Sequence, residues 1–163
     1  QASQSMMHQS TAFHVRAAGP QDASALIALM WQLAIFENYV DHFKVREADL
    51  LEQGLDSANP CFHALVAVTD DNRIMAYAVC YEVLFTYDLK PNWHLKELYV
   101  APEFRGSGIG SALFEAVKQA AKERGAARLK WDVLPSNEAA KIFYGQHGGR
   151  PVTEWDAWTC SLI

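Results

Sequence analysis

Between Leu95 and Phe114 the chain reads Leu95-Lys-Glu-Leu-Tyr-Val-Ala-Pro-Glu-Phe-Arg-Gly-Ser-Gly-Ile-Gly-Ser-Ala-Leu-Phe114. An apolar run meets a turn holding Gly106, Gly108 and Gly110 and passes straight into a helical pattern. Glycine lets a backbone approach a ligand closely, and the N–H groups of a helix's first turn have no acceptor within the helix. Such a turn suits an anion, most naturally a phosphate or pyrophosphate, and Arg105 at its mouth would add a charge-assisted contact. Three familiar loops fail on spacing. A dinucleotide fingerprint needs its third glycine one residue later and near the first strand; the Gly-Lys-Ser/Thr of a Walker loop is absent; Ser107 stands in Gly-Ser-Gly, not Gly-x-Ser-x-Gly. A strand that merely reverses into a helix would use the same three glycines, so spacing alone leaves both readings open.

The remaining reactive side chains are less organised. Six histidines (His8, His14, His42, His63, His94, His147) show no paired ligand spacing, so no metal is expected. Cys61, Cys80 and Cys160 are odd in number, widely spaced and set in apolar alternating segments, which reads as buried thiols of a cytoplasmic protein. Among 163 residues, 14 Lys and Arg face 19 Asp and Glu, a net charge of −5. Six of the acids (Glu37, Asp41, Glu47, Asp49, Glu52, Asp56) fall in one stretch with only Lys44 and Arg46 against them. A solvated helix face accounts for most of these. An acidic chain is a poor partner for nucleic acid or anionic lipid, and no apolar run approaches the roughly 20 residues that cross a bilayer. With 50 % hydrophobic residues the chain is long enough for one domain with a real core and short for two. Residues 1–11 lack the layout of a signal peptide and read as a disordered or cloning-derived leader, with Met6 or Met7 as a native start.

The elements that would hold the loop follow from periodicity and punctuation. Phe13 to Arg16 alternates as a first strand. Leu26, Leu29, Met30 and Leu33 place a helix from near Asp22 to Phe36, and a shorter one fits Arg46 to Gln53, closed by Gly54. Phe62–Val68 and Ile74–Leu84 are strands joined at Asp70-Asp71-Asn72, and Trp93–Val100 is a strand bounded by Pro91 and Pro102. Ile109, Leu113, Phe114, Val117 and Ala121 mark a helix ending at Gly125. A strand over Arg128–Leu134, a helix capped near Asn137 and ended by Gly148-Gly149, and a strand over Val152–Leu162 complete the chain. The order β-α-α-β-β-β-α-β-α-β is a mixed, partly antiparallel α/β fold of one domain over residues 12–163.

Arg105-x-x-Gly108-x-Gly110, after a Leu-x-x-Leu-Tyr-Val strand and before an amphipathic helix, resembles the acyl-CoA pyrophosphate loop of the GNAT N-acetyltransferases. His14-Val-Arg16, Leu33-Ala-x-Phe36-Glu37, Asp49-Leu-Leu-Glu52-x-Gly54, Phe85-Thr-Tyr-Asp88 and Asn137-Glu-x-x-x-x-Phe-Tyr144 are further similar to its spermidine/spermine and thialysine branch. The resemblance implies a central twisted sheet flanked by helices, acetyl-CoA as cosubstrate, a small-molecule amine as acceptor and a homodimer.

By the same resemblance, Leu98, Tyr99 and Val100 line the pantetheine arm. Arg105, Gly106, Ser107, Gly108, Ile109, Gly110 and Ser111 cradle the pyrophosphate, and Asn137, Glu138, Ala139 and Ala140 add cofactor contacts. Tyr144 becomes the general acid for the departing thiolate and Glu97 the group that assists amine deprotonation. Phe36, Glu37, Lys96, Lys130, Trp131, Asp132 and Asp156 line the substrate groove. Lys96 departs from the branch, whose polyamine enzymes carry a glutamate there, and a lysine would repel a second ammonium. The expected activity is transfer of acetyl to a primary amine of a diamine, polyamine or diamino acid. Other acceptors (an antibiotic, a protein N-terminus) and a non-catalytic acyl-CoA-binding module are the alternatives.

Overall fold

A computed structural model describes residues 12–163; the expected leader over residues 1–11 lies outside them. The described chain divides into two compact units, one up to Trp131 and one over Asp132–Ile163.

In the first unit, strand β1 (Phe13–Ala17) leads through Gly19 and a 3-10 turn into helix α1 (Ala23–Phe36). Arg16 on β1 clasps the buried Asp22 at this corner through two hydrogen bonds of 2.7 and 2.9 Å, and Asp22 also accepts from the Gly19 N–H. The expected apolar positions Leu26, Leu29, Met30 and Leu33 are all buried. Helix α2 (Glu47–Leu50) is capped by Asp49 folding back on Arg46 and widens into a π-helical turn over Leu51–Leu55. The sequence suggests an ordinary helix to Gln53. The widened turn instead sets bare Gly54 against the Phe62 ring, where a Cβ would stand 2.2 Å from the ring.

Strands β2 (His63–Thr69), β3 (Ile74–Val83) and β4 (Asn92–Val100) form an antiparallel meander, and Asn72, at φ 65°, turns the first hairpin as the Asp-Asp-Asn signal suggests. Helix α3 (Ile109–Glu123) then crosses over to β5 (Arg128–Lys130), which runs parallel to β4. The sheet order is β1-β2-β3-β4-β5. Ala64, Val66, Val68, Tyr77, Val79 and Tyr99 make one sheet face and pack with Leu26, Leu29, Met30, Leu33 and Leu50 of α1 and α2. Helix α3, buried along Ile109, Leu113, Phe114, Val117 and Ala121, packs against β1 to β4. No helix among the described residues is long and apolar enough to cross a membrane.

The second unit is built on helix α4 (Glu138–Gln146). Asn137 caps it by accepting from the Ala140 N–H. Its far end closes as a Schellman motif, with Gly148 at φ 86° and the N–H groups of Gly148 and Gly149 returning to the Gly145 and Tyr144 carbonyls.

Three expectations need correction. The fifth strand stops at Lys130 instead of Leu134. No strand forms over Val152–Leu162: a strand needs a partner for its N–H and C=O groups, none of the described strands pairs with this segment, and Val152, Trp155, Trp158 and Leu162 stand exposed. Of the three thiols read as buried, only Cys80 is; Cys61 precedes β2 and Cys160 lies in the segment without a strand.

Candidate active site

The loop after β4 is built as its glycines require. The chain leaves Val100 through a 3-10 turn (Pro102–Phe104), and Gly106 and Gly108 both take positive φ, 83° and 79°. A Cβ at either would meet nothing within 4 Å, so it is the left-handed backbone rather than crowding that calls for glycine. Helix α3 starts at once: its first intrahelical bond runs from the Ala112 N–H to the Gly108 carbonyl, which leaves Ile109 and Gly110 without an acceptor inside the helix. The Ser107 hydroxyl donates to the Phe104 carbonyl at 2.7 Å and tightens the turn. Arg105 donates its Nε to the Val100 carbonyl, and its guanidinium lies 5.6 Å from the Tyr99 ring centre and 5.8 Å from that of Phe36. Arg105 therefore ties the loop back to its own strand and joins two of the expected site aromatics.

Strand β4 carries a bulge. Cys80 pairs with Leu95 but Val79 pairs with Glu97, so Lys96 is the extra residue. Side chains alternate along a strand, and one inserted residue moves everything after it to the other face. Trp93 and Leu95 stand opposite Glu82 and Cys80, whereas Glu97 and Tyr99 stand opposite Val79 and Tyr77, on the face covered by α1. Without the bulge, Glu97 would follow Leu95 to the α3 side.

On that face Glu97 is held at both oxygens. The Tyr77 hydroxyl, fully buried, donates to Oε2 at 2.9 Å, and the Lys96 ammonium sits 3.0 Å from Oε1. Beyond α1, burial first and then the carboxylates of Glu97 and Glu37 push the pKa of Tyr39 up to about 12. Burial and then Glu97 push Tyr77 up as well. Both phenols stay protonated at neutral pH, and Tyr77 uses its proton as the donor to Glu97. Neither tyrosine stood out in the sequence, where Tyr77 is one more apolar residue of a buried strand and Tyr39 one more of a loop.

Strand β5 pairs with β4 only from Asn92 to His94. From Leu95 to Val100, the β4 edge that faced β5 has no strand partner among the described residues. Lys130 is exposed opposite His94, whose ring stacks on Tyr81, while Trp131 packs edge-on against Phe114 of α3. A cavity of about 330 Å³ bounded by His63, Leu65, Trp93 and Arg124 contains none of the expected site residues. Among the described residues, no group of three or more His, Cys, Asp or Glu could hold a metal.

In the second unit, Tyr144 lies half-buried on α4 with its ring edge-on to Phe143, and burial raises its pKa. Glu138 is exposed and paired with Lys141; Asp132 and Asp156 are exposed. The Asn137 side chain is engaged as the helix cap.

Residues 27–148 match the acetyltransferase (GNAT) family. The chain belongs to the GNAT acetyltransferases. It is 30 % identical over 151 residues to a thialysine N-epsilon-acetyltransferase of Sus scrofa, covering 88 % of each chain. It is 28 % identical over 157 residues to a spermidine/spermine N(1)-acetyltransferase-like protein 1 of Homo sapiens, covering 90 % of this chain and 22 % of that protein. An aminoglycoside acetyltransferase from a soil metagenomic sample, solved with sisomicin, superposes with a TM-score of 0.76 at 19 % identity over 93 % of this chain and 97 % of that one. This GNAT chain is thus an acetyltransferase enzyme, and family members take the acetyl group from acetyl-CoA. The mixed α/β fold expected from the order of elements is the one found.

Proposed function

We propose that the enzyme moves acetyl from acetyl-CoA to a primary amine of a small cationic substrate, with residues 12–163 acting as one catalytic domain. The observation that carries this reading is the Glu97 carboxylate, turned by the bulge to the α1 side of the sheet on the strand that leads into the glycine loop. The residues present fit the donor. Gly106 and Gly108 leave open backbone where phosphates would lie, Ile109 and Gly110 head a helix, and Arg105 adds a cation. The bare edge at Leu98 to Val100 suits an extended arm added as a strand. When bound, acetyl-CoA supplies an activated acetyl group on a thiolate leaving group.

An alkyl ammonium of pKa about 10.4 is only about 0.04 % neutral at pH 7, so the amine must lose its proton at the site. Glu97 takes that proton directly or through a water; the neutral amine forms its C–N bond as the C–S bond breaks, and the nitrogen then releases a second proton to water to leave the neutral amide. Tyr144 gives its hydroxyl proton to the sulfur at the moment negative charge builds there. Its raised pKa keeps that proton in place until then. The phenolate takes a proton back from solvent. Glu37 and Phe36 border the groove, with the acids of residues 41–56 drawing a cation toward it.

Thiol release measured across an amine panel tests this. Glu97→Gln should lower kcat/KM about a hundredfold at neutral pH, with recovery as pH rises toward the amine's own pKa. Tyr144→Phe should lower kcat with little change in acetyl-CoA affinity. Full activity in both variants would sink the mechanism.

A further inference from the structure

We propose that Lys96 is the specificity-determining residue of the acceptor site and selects amines that carry a carboxylate at their far end, diamino acids, over amines that carry only a second cation. The proposal rests on the reading of Glu97 as the group that receives the acceptor amine. Lys96 is the inserted residue of the bulge, and its ammonium lies against Glu97 Oε1. The two oxygens of Glu97 are held in different ways. Oε2 is anchored from inside by the fully buried Tyr77 hydroxyl, while Oε1 is held by a long side chain that is 59 % exposed. Glu97 itself is only 17 % exposed, so Oε1 is the oxygen that an incoming ammonium reaches.

The Lys96 ammonium thus occupies the place that the substrate's reacting amine must take. Two ammonium groups at one carboxylate oxygen repel, so substrate entry releases Lys96 from Glu97. The released cation lies beside the bound substrate and has lost its anion. A carboxylate on the substrate replaces that anion; the second ammonium of a plain diamine meets a like charge instead. Lys96 thus matches the carboxylate end of a diamino acid whose ω-amine lies at Glu97.

Lysine and cadaverine differ only in the α-carboxylate and make the test. With saturating acetyl-CoA, kcat/KM for the two is compared in the unmodified enzyme and in Lys96→Met, Lys96→Glu and Lys96→Arg. The unmodified enzyme is expected to favour lysine about tenfold. Lys96→Met should erase the preference mainly through KM for lysine, Lys96→Glu should invert it, and Lys96→Arg should retain it. A preference for cadaverine in the unmodified enzyme, or an unchanged ratio in Lys96→Met, overturns the selectivity. Undiminished rates with both amines in Glu97→Gln overturn the underlying reading of the site instead.

Discussion

Glu97 shows how much of a site is decided by the groups that hold a side chain. Its type suggests a base, but its use depends on a buried phenol at one oxygen and an exposed ammonium at the other. Tyr77 was unreadable as the partner of Glu97 because an aromatic in an apolar segment packs the same way whether or not its hydroxyl meets a carboxylate. The pair Arg16 and Asp22 is a second case, in stability rather than chemistry. The Arg16 guanidinium, and then the Gly19 N–H, hold the Asp22 carboxyl below its usual range against the cost of burial. A depressed folded-state pKa contributes stability that is present above the unfolded value of about 3.9 and is lost as pH falls through the folded value. Asp22→Asn should therefore cost about 1.5–3 kcal/mol at pH 7, with the gap to the unmodified protein closing in acid. Denaturant unfolding at pH 7 and near pH 2 would show it, and parallel losses at both would remove the pair from the account.

At the scale of elements, the loop and the bulge are read from the sequence with very different ease. The loop is local chemistry: glycines at positive φ feeding a helix leave a signature in consecutive residues. Gly108→Ala keeps the composition of the loop but forces a Cβ into the left-handed region, at about 1–2 kcal/mol. The loop should shift to relieve this, raising KM for acetyl-CoA several-fold while kcat at saturation changes little. Calorimetric binding of coenzyme A to the variant would check it; unchanged affinity would mean the loop is only a turn. The bulge leaves no such mark. Trp93, Leu95, Glu97 and Tyr99 alternate as one face in the sequence, and only the pairing of Leu95 with Cys80 and Glu97 with Val79 reveals that they divide between two.

For the whole molecule, the core was legible almost residue by residue, because α1 and α3 bury the positions their periodicity marks. The C-terminal segment was not. Trp155, 82 % exposed, and Trp158, 93 % exposed, belong to a stretch whose alternation suits a strand but which has none to pair with among the described residues. We propose that a second copy supplies the partner strand, in the homodimer that the family resemblance implies. Light scattering should give a mass twice that of one chain, and loss of Trp155 and Trp158 to alanine should return it to one. A single-chain mass for the unmodified protein would end the proposal.

The sequence by itself determined what local forces control: the glycine loop, the capped and glycine-terminated α4, and the buried stripes of α1 and α3. Those features depend on neighbours a few residues apart, whose backbone preferences and apolar spacing are written consecutively. Tertiary structure alone decided the bulge at Lys96, the face on which Glu97 emerges, its anchoring by Tyr77, and the fate of residues 152–162. Each depends on which distant strand is opposite, and strand pairing is a choice of register that period-two alternation leaves open.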